Sequence, residues 1–197
     1  MKLKKLDTVV VATHNNGKKL EFESLFSKYK INIITSEEIN ISEPIEYGKN
    51  FEENAIIKAK SCLPSKHIVI SDDSGLCVNS LNGDPGIYSA RWAKLHGGWL
   101  EAMKEIKIRM DNLKSKDFSA YFHCTLCVGW TNGDFSLFNG RVDGHITWPP
   151  RGLEGFGYDP IFIPDGEKTT FGEMSKKEKM SKDHRFKAFR KLITNHF

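Results

Sequence analysis

The chain has 197 residues, with 29 Lys or Arg against 25 Asp or Glu and a formal net charge of +4. This length fits one domain or one core with two lobes, able to bury roughly 70% of its unfolded surface without disulfides or a structural metal. No apolar run is long enough to cross a bilayer, and the basic start Met1-Lys2-Leu3-Lys4-Lys5 has no apolar stretch behind it, so a soluble cytoplasmic protein is expected.

Residues Asp7 to Ala12 contain Val9-Val10-Val11 and predict a buried strand. From Gly17 the spacing of Phe22, Leu25, Phe26 and Tyr29 predicts a helix with one apolar stripe. Between them lies the polar turn Thr13-His14-Asn15-Asn16-Gly17-Lys18. A turn from strand into helix exposes amides at the positive end of the helix dipole, where phosphate is favoured. It is not a Walker A loop, because Ala12 and Lys19 stand where that motif needs Gly and Ser or Thr. A plain cap by Asn15 or Asn16 is the competing explanation.

Ile31 to Ile34 predicts a second strand, and Glu43 to Gly48 a loop carrying two carboxylates, Glu43 and Glu46. Asn50 with Glu53 reads as a capping box opening a helix to about Cys62, with Phe51, Ala55 and Ala59 inward. The apolar run His67 to Ile70 predicts a strand that runs into Ser71-Asp72-Asp73-Ser74-Gly75. Neighbouring side chains on an extended chain face opposite sides, so both acids reach one site only if the strand breaks there, which Gly75 would permit. Carboxylates at a strand end suit a hard cation such as Mg2+ or a general base; an acidic turn in solvent is the alternative.

Past a turn at Asn82 to Gly86, a helix is expected near Ser89. A longer one follows, with Leu100, Met103, Ile106, Met110 and Leu113 as its buried stripe. Phe118 to Trp130 alternates strictly, and Asn132-Gly133 marks a hairpin whose returning strand runs from Phe135 towards Trp148, with a bulge at Gly140. This long twisted hairpin is expected to form the spine of the protein. Cys124 and Cys127, three apart on a strand, face opposite sides and cannot share a metal, so buried structural thiols are expected. The glycine-flanked Phe156, within Gly155-Phe156-Gly157-Tyr158-Asp159-Pro160, offers an uncovered ring for a planar base, or else a core side chain in a glycine-rich turn. A strand at Ile161 to Ile163 and a C-terminal helix with Phe186, Phe189 and Ile193 inward complete the chain. Eight Lys or Arg and two acids lie between Met174 and Lys191, so the basic excess belongs to that segment and suits an anionic ligand or a solvated helix face.

Together these pieces resemble a nucleotide site: an anion turn, acids for a metal, an aromatic platform, and donors at Lys179, His184 and Arg185. Nearly end to end the sequence resembles the inosine/xanthosine triphosphate pyrophosphatases. The blocks are Thr13-x-Asn15-x-x-Lys18, Phe51-x-Glu53-Asn54-Ala55, Asp72-Asp73-Ser74-Gly75-Leu76, Pro85 to Arg91, Gly155 to Pro160 and His184-Arg185. The resemblance implies an elongated α/β protein with a long mixed twisted sheet flanked by helices. It implies two lobes without a separable linker across residues 1–197, a central substrate cleft, and usually a homodimer. The implied reaction is Mg2+-dependent hydrolysis of ITP, dITP or XTP to monophosphate and pyrophosphate. The family pattern puts Thr13, Asn15 and Lys18 on the triphosphate, with His14, Asn16 and Gly17 in the same turn. Glu46 and Asp73 are then the metal ligands, Asp73 also the base for water, and Asp72 their support. Ser74, Lys58 and Lys179 contact the nucleotide, while Phe156, Gly157, Tyr158, Asp159, His184 and Arg185 surround the base. Two departures stand out: Asp183 where Ser is usual, and His14 where a small residue is common. The rivals are a Maf-type nucleotide pyrophosphatase of different base preference and a nucleic-acid-binding protein; the acidic cluster disfavours the latter.

Overall fold

The computed structural model describes residues 1–197 apart from the side chain of Asn16. Six strands form one mixed sheet in the order β2-β1-β3-β4-β5-β6. The order of elements is β1 (Thr8–Val11), α1 (Asn16–Phe26), β2 (Asn32–Thr35), α2 (Phe51–Cys62), β3 (Ile68–Val78), α3 (Ser89–His96), α4 (Trp99–Asn112), β4 (Ser119–Gly129), β5 (Phe135–Ile146), β6 (Phe162–Pro164), α5 (Lys176–Met180) and α6 (His184–His196). β1 pairs in parallel with both β2 and β3, with Val9, Val10 and Val11 opposite Ile68, Val69 and Ile70. Such a central parallel strand is covered on both faces, which is why it reads as an unbroken valine run. The hairpin arms β4 and β5 have 11 and 12 residues, roughly 36–40 Å at the usual rise. β6 returns antiparallel beside β5.

The chain divides into two compact units. One comprises Met1–Asp73, Cys124–Asn139 and Phe186–Phe197; the other Ser74–His123 and Gly140–Arg185. In the first unit two apolar clusters form. One holds Phe22, Phe26, Ile70, Cys124, Leu126, Val128, Trp130 and Phe189; the other holds Val10, Ala55, Ala59, Cys62, Val69 and Cys127. Cys124 and Cys127 thus sit in different clusters, as alternation requires, and burial pushes the Cys127 thiol up to about 12. Phe26 packs edge-on against Phe189 at 4.8 Å between ring centroids, joining α1 to α6. The second unit has its own core of Leu76, Val78, Met103, Ile106, Met110, Phe122, Tyr158, Phe162 and Phe171.

Three expectations are corrected here. β3 does not break at the acids but runs straight through them, from Ile68 to Val78. Gly75 has no positive φ; a Cβ there would drive into the Gly86 carbonyl oxygen and Ser89 Oγ, so the residue is small because another segment crosses it closely. Gly75→Ala is therefore expected to destabilise by about 1–3 kcal/mol, read as a lower urea midpoint at unchanged m. On α4, Met103, Ile106 and Met110 are buried as expected, but Leu100 and Leu113, three residues beyond Met103 and Met110, are exposed, since the stripe outruns the surface it packs on.

Candidate active site

In the first unit, strand alternation organises the acids. Val69, Ser71 and Asp73 turn to the face covered by α2, where Ser71 Oγ donates to the Ala55 carbonyl. Ile70 and Asp72 turn to the face covered by α1. Each buried carboxylate meets a lysine brought by the helix on its own face.

On the α2 face, Lys58 Nζ donates to Asp73 Oδ1 and to Glu46 Oε1, both at 2.7 Å. Asn54, four residues before Lys58 and fully buried, donates from Nδ2 to Asp73 Oδ2 at 3.3 Å and accepts from the Gly48 amide at 2.8 Å. The helix places 54 and 58 on one side because they are i and i+4. It begins at Asn50, whose side chain accepts from the Glu53 amide; Glu53 in turn accepts from Lys49 N, one residue before the capping-box position. Burial raises the Asp73 pKa above the ordinary carboxylate value, against the pull of Lys58. Burial alone would lower that of Lys58, but the charges of Asp73, Glu46 and Asp72 outweigh it and the pKa is raised. A basic carboxylate and a firmly protonated lysine result. Among the described residues no three His, Cys, Asp or Glu side chains are grouped so as to hold a metal ion.

On the α1 face, Lys18 Nζ pairs with Asp72 Oδ1 at 2.5 Å, and the Cys124 thiol donates to Asp72 Oδ2 at 3.1 Å. Asn15 is the N-cap, accepting from the Lys18 amide, and Thr13 Oγ1 accepts from the Asn15 amide. The capping explanation of this turn is therefore realised; it leaves Lys18 on the first turn of the helix with its side chain against Asp72. His14 is half-buried and Gly17 exposed, while the side chain of Asn16 lies outside the described residues.

The second unit gathers the aromatic and basic candidates. Phe156 is 42% exposed, so its ring is a surface platform and not a core side chain. Asp159 Oδ2 accepts from the Phe156 amide and from Lys179 Nζ, tying the glycine-rich turn into shape. Gly155 and Gly157 carry positive φ, and a Cβ on Gly155 would collide with the Asp159 carboxylate. Lys179 is buried and lies 5.1 Å from the Phe156 ring centroid. Tyr158 is buried with its hydroxyl on the Ser89 carbonyl. His184 stacks on Phe122 at 4.9 Å and 9°, and Arg185 donates from Nη2 to Ser74 Oγ at 3.2 Å. Both are almost fully buried, as is Asp183.

Sequence reasoning gave no role to Asn54, Cys124 or Phe122. Asn54 had a signal, a polar residue on the face otherwise lined by Ala55 and Ala59. Phe122 and Cys124 had none, since they are apolar positions of an alternating strand.

Solved structures of this mixed-sheet class match the chain closely. A Ham1 protein of Coxiella burnetii superposes with a TM-score of 0.88 at 32% identity, covering 96% of this chain and 98% of that one. The Ham1 protein of Staphylococcus aureus gives 0.84 at 34% identity, over 96% and 97%. The Ham1 family profile matches residues 9–195, and the chain belongs to the Ham1 family. Its curated relatives include the dITP/XTP pyrophosphatases of Agrobacterium fabrum, 42% identical over 97% of each chain, and of Caulobacter vibrioides, 42% identical over 93% of this chain and 95% of that one. These relatives are nucleoside triphosphate pyrophosphohydrolases by name, in agreement with the family resemblance read from the sequence blocks. No helix among the described residues is long and apolar enough to cross a membrane.

Proposed function

We propose that the chain hydrolyses non-canonical purine nucleoside triphosphates (ITP, dITP and XTP) to the monophosphate and pyrophosphate, with Mg2+ as cofactor. It would clear such nucleotides from the cytoplasmic pool, working as a homodimer with no nucleic acid or membrane as partner. One observation carries the reading: a buried carboxylate, Asp73, and a half-buried one, Glu46, sharing one buried lysine, in a chain about 42% identical to named dITP/XTP pyrophosphatases.

The donor set fits a hard divalent ion. Glu46 and Asp73 already share one cation, the Lys58 ammonium, and two carboxylates with other positions left to water and phosphate oxygens is the usual Mg2+ arrangement. Bound there, the ion would neutralise phosphate charge and make water more acidic. Asp73, its basicity raised by burial, takes the proton of the attacking water. Asn54 and Lys58 hold its carboxylate in one orientation. Lys18, with Thr13, His14, Asn15, Asn16 and Gly17 of the same turn, takes the phosphates and stabilises the charge that gathers on the leaving pyrophosphate. Ser74 contacts the nucleotide, and Phe156 with Gly157 offers the base a stacking face. Lys179, engaged with Asp159, acts by holding that turn. Donors at His184 and Arg185 suit the O6 acceptor of hypoxanthine or xanthine. Adenine would leave them unpaired, at a cost of ~1–3 kcal/mol.

Pyrophosphate release from ITP, XTP, dITP, GTP, ATP, UTP and TTP with Mg2+ tests the reading. Inosine and xanthosine nucleotides are expected to lead; a preference for UTP or TTP overturns it. Arg185→Ala is expected to narrow the kcat/KM gap between ITP and ATP roughly tenfold, the size of one lost polar contact. An equal loss on both substrates would remove Arg185 from base recognition.

A further inference from the structure

Among the buried groups that the reaction above leaves idle, one touches its machinery. Cys124 lies on β4, beside β3 in the sheet, and is fully buried. Alternation alone would make it a small core residue like Cys127. Cys127 is packed among Val10, Ala55, Ala59, Cys62 and Val69. The Cys124 thiol instead faces a carboxylate, with Sγ 3.1 Å from Asp72 Oδ2, while Asp72 Oδ1 accepts from Lys18 Nζ.

We propose that Cys124 is a positioning residue of the hydrolysis, its thiol holding the Asp72 carboxylate turned so that Oδ1 is presented to Lys18. The proposal rests on the reading above, in which Lys18 takes the phosphates. A thiol is a weak donor, but a bond to an ionised acceptor gains strength, and more so where water is excluded. Asp72 is only 3% exposed, so its orientation depends on protein donors. Lys18 depends on it in turn: its side chain is about a fifth exposed and is tethered at its tip to Oδ1. Loss of this bond weakens the hold on the carboxylate's terminal torsion, a broad and roughly twofold one. The ammonium then loses its fixed place. The chain of control runs from a β4 side chain, through a β3 carboxylate, to the lysine on the first turn of α1.

Cys124→Ser keeps a donor, whereas Cys124→Ala removes it. Both lose the sulfur volume, so the difference between them isolates the hydrogen bond from packing. With ITP and Mg2+, kcat is expected to stay within about threefold of wild type in Cys124→Ser. It should fall roughly tenfold in Cys124→Ala, as for a lost hydrogen bond to a charged group. Independently of turnover, reductive methylation read by mass spectrometry is expected to modify Lys18 several-fold faster in Cys124→Ala than in the other two, with Lys19 as internal reference. If Cys124→Ala does not fold, Cys124→Val supplies a similar shape without a donor. Wild-type Lys18 reactivity in the donor-free variant, or equal loss of kcat in Ser and Ala, overturns the proposal. Slow wild-type turnover of every triphosphate, with the methylation pattern as expected, instead overturns the reading of the reaction and leaves the hold on Lys18 standing.

Discussion

Asp73→Asn is expected to lower kcat for ITP by a factor of roughly 10²–10⁴, the range of general-base catalysis, while changing nucleotide affinity little. The substitution is nearly isosteric. Asn can still meet Lys58 through its carbonyl oxygen, but it has no basic oxygen to take a proton. Calorimetric titration of the variant with ITP separates binding from turnover; near-wild-type kcat would place the base elsewhere. The same carboxylate predicts a pH signature. Burial raises its pKa in the folded protein above the ordinary carboxylate value. The acid limb of kcat/KM is therefore expected above that value and should be absent from the residual activity of Asp73→Asn. Stability follows with a definite sign. Between the unfolded and the folded pKa the native state binds more protons, so this group's contribution is full below the window and is lost as pH rises through it. Denaturant midpoints measured across that window are expected to fall with pH in the wild type and to fall less in Asp73→Asn.

Lys58→Met is expected to have the largest effect on stability. Lys58 is 6% exposed, and its ammonium is the cation shared by Glu46 and Asp73. Breaking a buried pair by removing one partner typically costs ~3–5 kcal/mol, because the remaining charge is left without compensation. Here two carboxylates would face each other without the lysine, one of them nine-tenths or more hidden. For a chain of this size the loss corresponds to a Tm lower by roughly 6–20 °C in chelator at neutral pH. If Glu46 and Asp73 are also the Mg2+ ligands, millimolar Mg2+ should restore much of it, and the Mg2+-induced rise in Tm should be larger than in wild type. A variant equally unstable with and without Mg2+ would mean that these two acids do not take the ion.

The helix starts were legible because caps are local: Asn15 and Asn50 each accept from the amide three residues on. The burial of Cys124 and Cys127 followed from period two, whereas the flanking glycines left Phe156 open between a platform and a core side chain until the fold showed it exposed. The end of the α4 stripe was not legible, since periodicity marks which face is apolar but not how far the neighbouring surface extends. The reading of Gly75 failed for a similar reason: its need for smallness arises from Gly86 and Ser89, which pass beside it in space. At the site, the role of Asn54 is not legible in the sequence, because only the fold shows which acid its amide meets.

The adjacency of Asp72 and Asp73 separates the two kinds of knowledge. By itself the sequence determined that neighbouring acids on an extended strand face opposite ways, a consequence of backbone geometry two residues long. Whether the strand stays extended there, and what each acid meets, was decided only by tertiary structure. β3 is a single strand from Ile68 to Val78, paired in parallel with β1 over Ile68–Ile70 and continuing through both acids. The partners come from far along the chain: Lys18 on α1 lies 54 residues from Asp72, and Lys58 on α2 lies 15 residues from Asp73. Local rules set the direction of a side chain, but its partner depends on which helix packs against that face.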